Sequence, residues 1–124
     1  MARVALLCPD LLFGSKVEGG LAAAGGHPVE RFESGEAART AVGGGVDVLV
    51  VDLGAEGVDG PGLVESLRGS EELRGAATLG FYPHVEVETR RRAEAAGFDL
   101  VVPRSRMARE MGVLVERLAA VAGR

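Results

Sequence analysis

The carboxylate of Asp52 stands where a parallel sheet would place a reactive or ligand-binding group. It follows a largely apolar run, Val46–Val51, which lies between Gly43 and Gly54 and predicts a strand covered on both faces. Open α/β sheets bind their ligands in the crevice at the carboxyl ends of the strands. Asp52 is therefore a candidate site residue, and the alternative is that its side chain only caps the turn after the strand.

Other motifs exclude several chemistries at such a crevice. The first strand leads into CPDLLFG, so the glycine-rich cradle of dinucleotide-binding folds is absent, and no GK[ST] forms a P-loop. Gly54 stands where an aspartyl phosphatase commonly has a second acid, and no serine sits in a nucleophile elbow. His27 and His84 have no acid at metal-ligand spacing, so both are predicted to be turn or surface residues. The single cysteine, Cys8, excludes an intrachain disulfide and is predicted to be a small buried side chain.

Length and composition predict one domain that spans residues 1–124, with no output domain after it. The net charge of −4 removes the electrostatic basis for binding nucleic acid or an anionic membrane, so neither is an expected partner. Pro9 and Asp10 break the opening apolar run before it reaches the length of a signal-peptide core or a membrane span. We therefore expect a cytoplasmic protein.

Short apolar runs alternate with segments of helical spacing, which predicts a parallel sheet with helices on both faces. The five predicted strands are Val4–Cys8, Pro28–Phe32, Val46–Val51, Thr78–Tyr82 and Leu100–Val102. The predicted helices are one with an apolar face of Phe13, Val17, Leu21 and Ala24, then Gly35–Val42, one that begins at Pro61, Val85–Ala96 and Ser105–Ala122. The apolar stripe of the last helix indicates a face buried in the core.

Two segments, VLVVDLGAEGVDGPGLVESLR and AEAAGFDLVVPRSRM, resemble the receiver domains of bacterial response regulators. Asp52 matches the aspartate that accepts the phosphoryl group in this family. Asp59-Gly60 matches the pair that opens the family's third helix, and Ala96-Gly97 matches the pair before its fifth strand. The resemblance covers nearly the whole chain. It implies a doubly wound (βα)5 flavodoxin-like three-layer sandwich, whose parallel five-stranded sheet has the order 2-1-3-4-5.

The positions that would bind a metal depart from the receiver pattern. Receivers end their first strand with two acids that hold Mg²⁺, and the matching residues here are Cys8 and Pro9, with Asp10 displaced by one. Mg²⁺ prefers hard oxygen ligands, and neither the thiol of Cys8 nor the side chain of Pro9 supplies one. The resemblance therefore implies at most a weak Mg²⁺ site at Asp10 and Asp52, and no other cofactor is expected.

Two more receiver positions are altered. Tyr82 falls at the Thr or Ser that bonds the phosphoryl oxygen, and Arg104 falls at the conserved lysine of the family pattern. Arg104 keeps the positive charge but not the compact geometry of a lysine. Because the two strand ends converge in the receiver fold, the resemblance implies an ion pair between Arg104 and Asp52, and the alternative is that both side chains are solvated. The Lys-Pro pair of receivers is inverted to Pro103-Arg104, which leaves a cis peptide bond open.

These departures favour a degenerate receiver, or pseudo-receiver: a stand-alone module of two-component signalling that binds protein without normal phosphorylation and is not an enzyme. Its partner would be a histidine kinase or another signalling protein. Val87 and Arg91, on the fourth helix, are the candidate docking residues, since receivers commonly dock through that helix. The protein itself would be a monomer or a weak homodimer.

Two alternatives use the same crevice. One is a residual Mg²⁺-dependent phosphoacceptor of a phosphorelay, in which Asp10 and Asp52 form the metal site and Asp52 accepts the phosphoryl group. The other is a flavodoxin-like domain that binds a small ligand among Cys8, Asp10, Asp52 and Arg104. An Asp10 carboxylate within shared metal reach of Asp52 favours phosphoryl chemistry. One that points away from Asp52 favours protein binding.

Overall fold

Five parallel strands form one sheet in the order β2-β1-β3-β4-β5, in a computed structural model that describes residues 1–83 and 86–122. This is the expected flavodoxin-like order. The strands are β1 Val4–Leu7, β2 Val29–Phe32, β3 Val48–Asp52, β4 Ala77–Tyr82 and β5 Leu100–Pro103. The helices are α1 Leu11–Gly25, α2 Gly35–Gly43, α3 Gly60–Gly69, α4 Val87–Ala96 and α5 Arg104–Val121.

The predicted elements are all present, and the ends that the structure describes agree with the prediction to within two residues. The difference that matters is in β3, which includes Asp52 as its last residue, paired with Phe81 of β4. Arg104 is the first residue of α5 and not part of a strand. Val85, the predicted start of the fourth helix, lies outside the described residues.

The core has two layers, one on each face of the sheet. Val48 and Val50 of β3 contact the layer beneath α1 and α5, whereas Leu49 and Val51 contact the layer beneath α2, α3 and α4. All four side chains are fully buried. Burial on both faces explains why the sequence of β3 is continuously apolar and does not alternate.

Close helix packing explains an interior glycine of α1. A side chain at Gly20 would collide with the sulfur of Met111 on α5. A glycine inside a helix costs about 1 kcal/mol relative to alanine. Here the cost is offset by the close approach of the two helices.

His27 lies in the connection between α1 and β2, as predicted, but it is buried and not on the surface. Its Nδ1 accepts a hydrogen bond from the backbone N–H of Ala2 at 2.9 Å, and its Nε2 lies 3.2 Å from Oε2 of Glu116. Because both ring nitrogens have partners, burial leaves neither unsatisfied. The other histidine, His84, lies outside the described residues.

Among residues 1–83 and 86–122, the helices are too short or too polar to cross a lipid bilayer.

The Leu114→Ala variant should lower the free energy of unfolding by about 2 to 5 kcal/mol, because Leu114 is fully buried in the layer beneath α5. Chemical denaturation monitored by circular dichroism measures the change. The matched control is Val113→Ala on the same helix, whose side chain is 54% exposed, and it should change stability by less than about 0.5 kcal/mol. Equal effects of the two changes would show that α5 does not bury this face.

Candidate functional site

A crevice of about 370 Å³ opens at the carboxyl edge of the sheet. It lies where β1, β3, β4 and β5 end, as expected for the ligand-binding edge of an open α/β sheet. The residues that line it are Pro9, Asp10, Asp52, Gly54, Ala55, Glu56, Pro83 and Arg104. The fold thus brings together three of the predicted site residues, Asp10, Asp52 and Arg104.

Asp52 lies at the base of this crevice and is only 7% exposed. Its Oδ1 accepts a hydrogen bond from the backbone N–H of Gly54 at 3.0 Å, so the side chain also forms the turn cap that was the alternative role. Burial raises the pKa of the Asp52 carboxyl, and the Gly54 N–H and the charge of Arg104 offset only part of this effect. The contacts of the ionised carboxylate therefore offset only part of the free-energy cost of burying its charge.

The thiol of Cys8 lies beneath the crevice and is fully buried. Its single S–H proton is shared between two acceptors, Oδ2 of Asp52 at 3.7 Å from Sγ and the carbonyl oxygen of Asp10 at 3.5 Å. Burial, and next the negative charge of Asp52, raise the pKa of the Cys8 thiol to about 12. The prediction of a small buried side chain is confirmed, and at neutral pH the group is an un-ionised thiol with little nucleophilic character.

Asp10 is the N-cap of α1 and the partner of Arg104. Its Oδ1 accepts hydrogen bonds from the backbone N–H groups of Leu12 and Phe13, at 3.0 and 3.2 Å. Its Oδ2 accepts a hydrogen bond from Nη2 of Arg104 at 2.5 Å. The bond to Arg104, and next the N–H of Phe13, lower the pKa of the Asp10 carboxyl. Both oxygens of Asp10 are therefore engaged within the protein.

Arg104 lies against α1, and the predicted ion pair with Asp52 is not formed. The guanidinium carbon of Arg104 is 4.1 Å from the centroid of the Phe13 ring, in a cation–π contact. Among the described residues, the carboxylate that Arg104 reaches is Asp10, not Asp52. Asp10 is partly solvated and easily ionised, whereas Asp52 is buried and already accepts the Gly54 N–H, so the exposed acid is the better partner.

Tyr82 is the last residue of β4, paired with Pro103 of β5, and is buried. It does not line the crevice. All peptide bonds of the described residues are trans, including those at Pro103.

The side chains around the crevice do not fit Mg²⁺. Asp10 uses one oxygen to cap α1 and the other to bind Arg104, and Asp52 uses one oxygen for the Gly54 N–H. In the part of the chain that the structure describes, no group of three His, Cys, Asp or Glu side chains is arranged to hold a metal ion. Mg²⁺ requires near-octahedral oxygen ligands, which these engaged carboxylates do not supply.

Two surface regions flank this edge of the protein. Val87 and Arg91 are both exposed on α4, four residues apart and so on one face. Leu11 and Leu12 are also exposed, at 63% and 85%, in the first turn of α1 beside Asp10. This leucine pair is not among the predicted site residues, although both leucines fall outside the buried stripe of Phe13, Val17 and Leu21.

The Asp52→Asn variant should raise the free energy of unfolding at neutral pH by about 1 kcal/mol, because it removes a buried and poorly compensated charge. The folded protein raises the pKa of Asp52 above its ordinary value of 3.8. The ionised carboxylate therefore destabilises the fold increasingly as the pH rises from about 4 through the folded-state pKa. The gain should vanish near pH 3 and be complete above the folded-state pKa.

Denaturant unfolding at several pH values measures this difference. The matched control is Asp59→Asn, which keeps a good N-cap on α3 and removes only an exposed ion pair with Arg92. Its difference from the natural protein should not widen in the same way. A loss of stability in Asp52→Asn at neutral pH would mean that the carboxylate is well compensated.

Comparison with known proteins supports the fold. No family model and no curated protein matches the sequence. A protein assigned as a response regulator of Chloroflexus aurantiacus has a TM-score of 0.86 and 21% identity over 96% of this chain and 98% of its own. The receiver domain of Francisella response regulator 1452 has a TM-score of 0.84 and 16% identity over 97% and 98% of the two chains. Vibrio cholerae chemotaxis protein CheY4 has a TM-score of 0.82 and 18% identity over 95% and 98%. The chain therefore has the fold of response-regulator receiver domains.

Proposed function

We propose that this protein is a degenerate receiver that signals by binding another protein, without normal phosphorylation of Asp52 and without enzymatic activity. The observation that supports this most strongly is the pair between Asp10 and Arg104. Asp10 is displaced by one residue from the metal-binding positions of receivers, and its pair with Arg104 occupies the carboxylate that could otherwise bind a metal ion.

Phosphoryl transfer to Asp52 would need charge neutralisation that these residues do not supply. The reaction depends on positioning and on stabilising charge at the equatorial oxygens, which a metal ion normally provides. Asp10 is occupied by Arg104, and Cys8 contributes an un-ionised thiol. The family's hydroxyl donor falls on Tyr82, which is buried away from the crevice lining.

The exposed apolar residues support a binding role. Leu11 and Leu12 are exposed directly after Asp10, which lines the crevice, and Val87 and Arg91 are exposed on one face of α4. We assign the protein partner to these two surfaces. A histidine kinase or another cytoplasmic signalling protein is the expected partner, and the protein itself is expected to be a monomer or a weak homodimer.

A residual phosphoacceptor is the second candidate, because Asp52 ends β3 at an open crevice with Asp10 beside it. A domain that binds a small ligand is the third, since the crevice holds about 370 Å³.

Incubation with acetyl phosphate in millimolar Mg²⁺ should leave the protein unphosphorylated. Loss of one stabilising group commonly lowers the rate of such a step by about 10² to 10³, and here the metal acids and the hydroxyl donor are both altered. Intact-mass spectrometry and a phosphate-retarding gel detect the modified form. An active receiver, treated in parallel, shows that the donor works.

A phosphorylated form that disappears in Asp52→Asn would overturn the proposal in favour of the residual phosphoacceptor. A phosphorylated form that persists in Asp52→Asn would place the modification elsewhere and leave the proposal intact.

A further inference from the structure

The buried carboxylate of Asp52 has one oxygen without a strong partner. Its Oδ1 accepts the N–H of Gly54, but the partner of Oδ2 is the weak thiol donor of Cys8 at 3.7 Å. Asp52 is more than nine-tenths buried and lines the open crevice. Buried carboxylate oxygens normally accept strong hydrogen bonds, so this one is suited to a donor that enters from outside.

The charge around the crevice is negative. Three carboxylates line it, from Asp10, Asp52 and Glu56, and the basic group among its lining residues is Arg104. Arg104 is already paired with Asp10, and Glu56 forms no ion pair with the described residues. The charge that an incoming group meets at Asp52 and Glu56 therefore favours a cation.

The size and rim of the crevice limit what the cation can be. A volume of about 370 Å³ accommodates one long side chain but not a helix or a strand. The exposed Leu11 and Leu12 directly follow Asp10, which lines the crevice, so apolar surface begins one residue from the acidic crevice. A lysine side chain fits this volume, because its flexible apolar stem can lie along the apolar surface while its compact ammonium reaches the carboxylates.

We propose that the crevice receives a lysine side chain of the protein partner, whose ammonium donates to Oδ2 of Asp52 beside Glu56. Apolar residues of the partner next to that lysine contact Leu11 and Leu12. This inference rests on the proposed function and specifies the chemistry of its partner. The ammonium would lower the pKa of Asp52 that burial has raised, so binding of the ammonium and ionisation of Asp52 favour each other.

Titration of the ¹⁵N-labelled protein with n-butylammonium chloride, an analogue of the lysine side chain, tests this directly. The backbone amide of Gly54, which bonds Asp52, reports occupancy through its NMR chemical shift. We expect saturable shifts with a dissociation constant on the order of 10 mM, typical of one charged contact in a partly solvated site. Sodium chloride at equal ionic strength and neutral n-butanol are the reference ligands.

The variants decide whether the contact is the proposed one. Asp52→Asn should weaken butylammonium binding by about tenfold or more, and Glu56→Gln by about two- to threefold. Asp59→Asn, at an exposed acid on α3, should leave it unchanged. Shifts no larger than those with n-butanol, or equal binding by Asp52→Asn, would overturn the proposal. Saturable binding of MgCl₂ that excludes butylammonium would also overturn it, because the site would then belong to a metal.

This test is independent of phosphorylation. A protein that ignores both acetyl phosphate and butylammonium keeps the proposed function and loses only the lysine inference. A protein that acetyl phosphate modifies at Asp52 loses the proposed function whatever butylammonium does.

Discussion

The ion pair between Asp10 and Arg104 determines how the carboxyl edge of this sheet is organised. Asp10 begins α1, and Arg104 begins α5, so the pair joins the starts of the two helices that cover the same face of the sheet. A positive residue in the first turn of a helix is unfavourable with respect to the helix dipole, and no side chain caps α5. The carboxylate of Asp10 and the ring of Phe13 compensate for this by holding the guanidinium outside the helix end.

The same pair sets the electrostatics of the neighbouring acids. Arg104 lowers the pKa of Asp10 through a direct bond, and its charge opposes the effect of burial at Asp52 only from a distance. Two acids on adjacent strand ends thus have opposite pKa shifts, one downward at the rim and one upward at the base. Such separation often marks functional sites, although structural ion pairs also produce it. In this site the charge of Asp10 is neutralised by Arg104, whereas Asp52 is available to a donor from outside the protein.

Much of the fold could be predicted because strands that are buried on both faces of the sheet have continuously apolar sequences. Leu49 and Val50 face opposite layers of the core, and the sequence shows both as apolar. The strand order came from the resemblance to receivers and could not be obtained from periodicity. The placement of Asp52 at the sheet edge was likewise predictable, since it follows a buried run directly.

The partners of individual side chains were harder to predict. Whether Arg104 bonds Asp10 or Asp52 depends on a few ångströms of side-chain position and on the cost of desolvating each acid. The burial of His27 depends on Ala2 and Glu116, which are distant in sequence and adjacent only in the folded protein. Periodicity contains no information on such contacts.

The bond between Ala2 and His27 also fixes where an added segment would leave the protein. It holds Ala2 at the amino edge of the sheet, and the neighbouring Met1 is 90% exposed. The crevice is at the opposite edge, where the strands end. If the protein is immobilised on a solid support through Met1, the crevice, the leucine pair and the start of α5 therefore face away from the support and into solution.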